Sequence, residues 1–465
     1  MVNLIILLLI SSLLIFTPIA FGSVELWAFS LMELGILLMI VLYAIQKLIV
    51  PNSQLVSQNS AFRNPCPSGR RAQSAMAVVL LCLFFLLILL QMIPLPPEVL
   101  KGLSPKTYAL RHDLSLSTFH LSFVPFATQI EFFKWLTLSG FFFFLLFWIS
   151  GEPKRVYPLL VVIFCVGVFE SLYGMFEFFT GHKHILHLRA EHLVSSVTGT
   201  FINRNAFAGY LLMVIPLSMG YLFSREAHSI GHFSGWRHRL SSLDGRSLLI
   251  AFGIVLMILS LLFSASRMGI ASLLLSFSLV SLLFRNPQKG RRLSGASVLI
   301  FGLALLWALW IGLDAVISRF FTTSESLEDR WRLWANTFQI IRDYPFFGAG
   351  LGTFTQVFPM YRSFHIRGLV THAENDFLQL IAEGGVLASG VLGILFIYLI
   401  DRGVAGIRSL SRRDPKRYIG VGGMVGILAL MFHSLVERNI QIPANAFLYT
   451  LTFAIVLNLS DRGTK

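Results

Sequence analysis

This 465-residue sequence has little charge: only 13% of it is Asp, Glu, Lys or Arg, about half the roughly 25% share of soluble globular chains. Hydrophobic residues make up 55% and mean hydropathy is +0.73, so a soluble fold is excluded. Cysteine is scarcer still. The three present, Cys66, Cys82 and Cys165, supply neither a disulfide framework nor metal-ligand spacing. Met1–Phe21 lacks the basic segment that precedes the apolar stretch of a secretion signal, so it reads as a retained first helix. No internal repeat is visible.

What the sequence does have is apolar runs near 20 residues, each long enough to cross a hydrocarbon core of roughly 30 Å as a helix. They predict an all-α integral membrane protein of about twelve spans, near 3–21, 28–49, 75–95, 131–150, 156–179, 206–224, 247–264, 268–284, 296–316, 386–401, 421–438 and 446–460. The chain forms one polytopic domain, 1–465, with a long two-helix loop, 317–385, between the ninth and tenth spans. A net charge of +14 would suggest nucleic acid in a soluble protein, but its distribution rejects that reading. With the N-terminus inside, the inner segments hold 22 of the 37 Lys and Arg, with Arg402, Arg408, Arg412, Arg413, Lys416 and Arg417 as the clearest cluster. This is the positive-inside rule, and it predicts cytoplasmic N- and C-termini with membrane lipids, not nucleic acid, as partners. The inner stretch 51–73 reads as a flexible loop.

The remaining polarity lies outside. Glu33, Glu131, Lys134, Glu170, Glu177, Asp314, His433 and Glu437 fall in the outer halves of their spans, where a cavity opening outward would accommodate them and interfacial snorkelling is the plainer alternative. Within the long loop, Leu327, Trp331, Trp334, Phe338 and Ile341 follow helical spacing up to Pro345, predicting an amphipathic helix that lies on the membrane or roofs the bundle. Gly348, Gly350 and Gly352 then permit positive φ and close backbone approach in a turn, suited either to cradling phosphate with its N–H groups or to tight packing. His182, His184, His187 and His192 read as a surface loop, because no matched second cluster accompanies them.

Four outer constellations carry potential chemistry. Asn203-Arg204-Asn205 stands at the mouth of a span; Ser264-Ala265-Ser266-Arg267 places a cation at membrane depth; Arg330, Arg332 and Trp334 lie on the amphipathic helix. The fourth is His372-Ala373-Glu374-Asn375-Asp376. If helical from His372 onward, it puts His372, Asp376, Gln379 and Glu383 on one face. Taken singly, each Arg is also explained as an interfacial anchor or as the partner of Glu170, Glu177 or Asp314.

Together, the stretch Gly199–Tyr210, the Ser-x-Ser-Arg at 264–267, the Arg330-to-Trp334 spacing, the glycine turn and the segment His372–Gly385 resemble the bacterial O-antigen ligase and polymerase family. The resemblance spans about 160 to 440. It implies a GT-C type glycosyltransferase of the bacterial inner membrane that takes a glycan from undecaprenyl diphosphate on the periplasmic side. The acceptor would be the lipid A core or another glycan. Glu374 stands where the family often has a second His.

No Asp-rich pattern on the outer side offers to hold a divalent ion, and no cofactor is implied. Positive charge to offset that of the departing diphosphate is then expected from Arg204, Arg267 and Arg330, whose guanidinium groups match phosphate oxygens bidentately. His372 is the expected general base, with Glu374 or Asp376 fixing its tautomer or substituting for it. Asn203, Asn205, Asn375, Asp376 and Trp334 are the supporting residues, and a single displacement would invert the anomeric centre. Two other readings compete. A transporter of inorganic carbon, another small anion or polysaccharide predicts charge deep in the inner halves and paired broken helices, for which Pro216 is the sole candidate break. A scaffold without chemistry has no need of Arg267 at membrane depth.

Overall fold

The structure is a computed structural model and describes residues 2–49, 68–182, 184–186, 196–226, 244–283, 324–364 and 368–459. Its regular elements among these residues are helices. In chain order they are α1 (Val2–Ile19), α2 (Leu26–Ile49), α3 (Ser68–Met92), α4 (Pro97–Leu103), α5 (Pro105–Asp113), α6 (Pro125–Gly151) and α7 (Val156–Thr180). There follow α8 (Arg204–Glu226), α9 (Gly245–Phe263), α10 (Arg267–Leu283), α11 (Ser324–Asp343), α12 (Asp376–Ser409), α13 (Pro415–Ser434) and α14 (Pro443–Leu459).

Among the described residues, α1, α2, α3, α6, α7, α8, α9, α12 and α13 are long and apolar enough to cross a membrane, and α10 and α14 are shorter apolar helices. All eleven stand where the hydropathy pattern predicts spans. The expected span at 296–316, with Asp314, lies outside the described residues, as do residues 317–323 of the expected loop. The expected loop at 51–73 is partly corrected. Helix α3 already begins at Ser68, while 50–67 lie outside the described residues.

Short polar residues and prolines start these helices. Asp244 accepts from the Ser247 N–H, Asn375 from Leu378 N–H and Asp414 from Lys416 N–H; each supplies an acceptor to an otherwise orphaned first-turn donor. Pro125 and Pro415 occupy first-turn positions that need no donor.

The bundle is organised around α8 and α13. Helix α8 is buried almost throughout from Ala206 to Leu222, and α13 from Ile419 to Leu430. Glycine permits this pair to approach closely: a Cβ on Gly422 would lie 2.2 Å from the Pro216 carbonyl oxygen, and one on Gly426 3.0 Å from Met213 Cα. Small residues at such crossings are the usual means by which helices pack in lipid, where no hydrophobic force drives them together. Helix α8 runs unbroken through Pro216, so the sole candidate break for a transporter is not one.

Around this pair, α9, α10 and α14 form an inner ring, and α1, α2, α3, α6, α7 and α12 complete the bundle. The large apolar side chains left exposed on α1, α2 and α6, among them Leu4, Leu8, Leu34, Phe126 and Phe147, are accounted for by a surface that faces hydrocarbon. The α1–α2 turn, the starts of α6, α8, α12 and α14 and the end of α13 all meet at one end of the bundle. The basic cluster Arg408–Arg417 lies at the opposite end of α12 and α13.

Candidate functional site

At that first end two clefts lie side by side. One, of about 390 Å³, is lined by the α1–α2 turn (Phe21, Val24, Leu26), by Ile130, Glu131 and Lys134 of α6, by Phe201, Ile202 and Asn203, and by Gln441 and Ile442 before α14. Val24, Leu26 and Ile130 are also exposed, at 42, 71 and 40%, so its apolar wall is continuous with the lipid-facing surface. The second, of about 360 Å³, is lined by Arg330 and Leu333 of α11, by Phe364, Leu369 and Val370, and by Glu374. Both clefts share Thr371, His372 and Arg438. His372 therefore stands at their junction.

The segment that presents His372 is held from behind. Helix α12 begins at Asp376 with Asn375 as its cap, which corrects the expectation of a helix from His372 onward: Asn375 prefers to cap, leaving 372–374 as a bend in which Glu374 takes a φ of +49°. The one-face arrangement survives only in part. Gln379 Nε2 lies 3.2 Å from His372 Nδ1 and 3.2 Å from Glu383 Oε1, and Gln379 Oε1 accepts from the Ala373 N–H at 3.1 Å. Asp376 turns away to accept the N–H groups of Asn439 (2.8 Å) and Ile440 (2.9 Å), bracing the α13–α14 turn. It does not set the His372 tautomer. Trp334 Nε1 donates to the Ala373 carbonyl at 3.0 Å and so ties α11 to the bend.

The glycine turn has the expected positive φ at Gly348 (+72°), Gly350 (+114°) and Gly352 (+77°), and packing is the reason. Every backbone N–H from 348 to 354 already has a protein acceptor. Gly348 donates to Tyr344 O, Ala349 to Ala382 O, Gly350 to Glu383 O and Thr353 to Gly350 O. Leu351 donates to Gln91 Oε1, Gly352 to Glu383 Oε2 and Phe354 to Glu383 Oε1. A full donor account leaves nothing for phosphate. A Cβ on Gly348 would lie 2.2 Å from Glu383 O, and one on Gly385 2.2 Å from Phe346 O, so two backbones touch here.

Electrostatically, the cleft side is cationic. Lys134 Nζ is held by Glu131 (2.9 and 3.0 Å) and by Gln441 Oε1 at 3.0 Å. Arg438 lies 3.8 Å from Glu374 and 3.4 Å from Thr371 Oγ1. Burial first, then the charges of Arg438 and Lys134, push His372 down from 6.5 to about 3, so its ring is neutral at physiological pH. Arg330 donates to Glu437 and to the Val436 carbonyl, and Glu437 is also bonded by the Asn205 side chain.

Of the residues singled out from sequence, His372, Glu374 and Arg330 line the second cleft and His372 and Asn203 the first. Asn203 also accepts the Asn205 N–H at 2.8 Å, opening α8. Arg204 and Arg267 stand at the N-termini of α8 and α10, half-buried and outside the walls of both clefts. Arg330 is bridged to Glu437, not to Glu170 or Glu177. Glu170 is buried against Thr200 N–H and Oγ1, and Glu177 is bonded by Tyr173. Side chains from these constellations nonetheless meet at the end of α13 and in the turn that follows it: Ser266 Oγ lies 3.4 Å from His433 Nε2, and Glu437 joins Arg330 to Asn205. His182 and His184 lie together beside Glu177, while His187 and His192 lie outside the described residues.

Helix α11 packs through Leu333, Asn336, Thr337 and Ile340, leaving Trp331 and Phe338 exposed at 66 and 57%. Its buried face packs on the loop 345–364 and on the start of α12, and the exposed Trp331 and Phe338 are the apolar side chains that an amphipathic helix lying on the membrane turns to lipid. Arg438 and Lys134 were not singled out as site residues by sequence. Arg438 follows Glu437 in a turn between two spans, and that adjacent charged pair between apolar helices is the signal that marks it.

Comparison with curated proteins found no match. Residues 252–397, from within α9 to within α12 and including Arg267, Arg330, Trp334 and His372–Asp376, match the model of the family described as O-antigen ligase (Wzy_C), and over these residues the chain carries that family's domain.

Proposed function

We propose that this protein is a membrane glycosyltransferase of the bacterial inner membrane that transfers a glycan from undecaprenyl diphosphate to an acceptor hydroxyl on the periplasmic side. One observation carries the reading: two clefts of unlike lining meet at a single neutral histidine. A two-substrate transfer needs such a place, because holding both reactants against one another removes the entropic cost of a bimolecular encounter.

The cleft with the apolar mouth suits the lipid diphosphate. Its prenyl chain would leave between Val24, Leu26 and Ile130, and Lys134 and Arg438 would face the phosphates. The second cleft, with Arg330, Glu374, Phe364 and Leu369, suits the acceptor glycan. As the bond from the anomeric carbon to the phosphate oxygen breaks, negative charge grows on the diphosphate, and fixed cations stabilise it where it develops. Arg438 stands at the junction, and Arg330 lines the second cleft. Arg204 and Arg267 would act from the helix starts at the same end. The acceptor proton passes to the pair His372 and Glu374, and one displacement inverts the anomeric centre.

A transporter reading draws no support from α8, whose proline leaves the helix continuous. The test is incubation of purified protein with undecaprenyl-diphosphate-linked glycan, with and without a lipid A core acceptor, and with chelator. Transfer that survives chelation is expected, and product length separates ligase from polymerase. No transfer to either acceptor overturns the proposal.

A further inference from the structure

The hydrogen bonds behind His372 have a direction. Glu383 is fully buried and accepts from Gly352 N–H and Phe354 N–H, both at 3.0 Å, so the glycine turn fixes its carboxylate. The Gln379 amide lies between this carboxylate and the Ala373 N–H. An N–H donor needs Oε1 as acceptor and a carboxylate needs Nε2 as donor, so the two contacts together set the amide's orientation. The remaining Nε2 hydrogen then faces His372 Nδ1 at 3.2 Å. A nitrogen that accepts carries no proton, and a neutral imidazole has one proton to place.

We infer that Gln379 is a positioning residue that holds His372 as the Nε2–H tautomer, so that the ring edge facing the two clefts presents a proton and not a lone pair. His372 then serves as a hydrogen-bond donor and Glu374 as the proton acceptor. The division of labour rests on the transferase reading; the tautomer does not. In the transfer step the acceptor oxygen bonds to the anomeric carbon, and the carbon–oxygen bond to phosphate breaks with its electron pair staying on the diphosphate. The acceptor's proton goes to the Glu374 carboxylate. His372 keeps its own proton and donates a hydrogen bond to the departing oxygen. The charged groups facing the ring, Arg438 and Lys134, oppose a second proton on it, which suits a donor that never becomes imidazolium. Glu374, on the cleft wall 3.8 Å from Arg438, is free of the glycine turn that immobilises Glu383.

The test begins with ¹⁵N-histidine spectra of the full-length protein in lipid at neutral pH, with His372→Gln used to assign the His372 signals. The expected pattern is an unprotonated Nδ1 and a protonated Nε2, with both tautomers appearing in Gln379→Met. A protonated Nδ1 in the unaltered protein overturns the inference, whether or not any glycan is transferred. Kinetics supply the second arm. His372→Gln, which keeps a donor, should retain at least about tenfold more transfer than His372→Ala, and Glu374→Gln should lose at least about 100-fold. If His372→Gln is as inactive as His372→Ala while Glu374→Gln stays active, His372 is the base and the inference fails. If the unaltered protein transfers nothing, the transferase reading fails and the tautomer still stands or falls on its spectrum.

Discussion

Two glutamates nine residues apart show how differently one segment treats its two sides. Glu383, behind the site, spends its carboxylate on the backbone of the glycine turn. Glu374, on the cleft wall, stands in a strained bend with the Arg438 guanidinium 3.8 Å from its oxygen. A carboxylate that accepts several fixed donors is a structural brace. One that faces a cleft beside a neutral His is placed for proton transfer. The comparison teaches that polarity in this apolar chain is divided between a rigid back wall and a reactive rim, with Gln379 between them.

The sharpest way to break the comparison is to attack the wall. Gly348→Val inserts a branched side chain where a Cβ already meets Glu383 O at 2.2 Å and φ is +72°, so thermal unfolding in detergent should reveal a loss above about 4 kcal/mol. A normally stable variant would remove the packing account of the turn. Next in size, Glu374→Ala should slow transfer at least about 100-fold, or about 2.7 kcal/mol, while leaving stability within about 0.5 kcal/mol. Glu383→Ala should do the reverse first: it strands two buried N–H donors and is expected to cost about 2 kcal/mol of stability. If Glu374 and Glu383 variants unfold equally, the two sides are not distinct. Smaller still, Trp334→Phe removes one hydrogen bond to the bend that carries His372, worth about 1 kcal/mol, read as a few-fold fall in transfer rate at unchanged donor KM.

Last comes pH. His372 binds its proton near 3 when folded but near 6.5 when unfolded. Between those values the unfolded chain holds more protons, so this group's contribution to stability is full above about pH 6.5 and declines as pH falls toward 3. His372→Gln should flatten that part of the stability profile.

Much of this architecture was legible because lipid demands it. Eleven helices stand where apolar runs predict spans, since a segment of that length and hydropathy has few other uses. His372, Glu374 and Arg330 were legible as polar residues on one predicted membrane side. The fate of the glycine turn was not. Gly348, Gly350 and Gly352 permit positive φ by sequence, but whether their N–H groups face a ligand or Glu383 depends on a residue 31 positions beyond Gly352. The protein-facing side of α11 was not legible either: apolar spacing marks Trp331 and Phe338, which are exposed, whereas Leu333, Thr337 and Ile340 do the packing. Arg438 escaped because a cation at the predicted end of a span reads as an interfacial anchor, and only the fold brings it to Thr371 and Glu374.

The central claim is that His372, at the meeting of two clefts, governs the transfer step. Its most direct test is single-turnover transfer by His372→Ala in reconstituted membranes, with the lipid-linked donor and the acceptor both saturating. A fall of at least about 100-fold in the rate is expected, with donor binding preserved. A rate equal to that of the unaltered protein would contradict it.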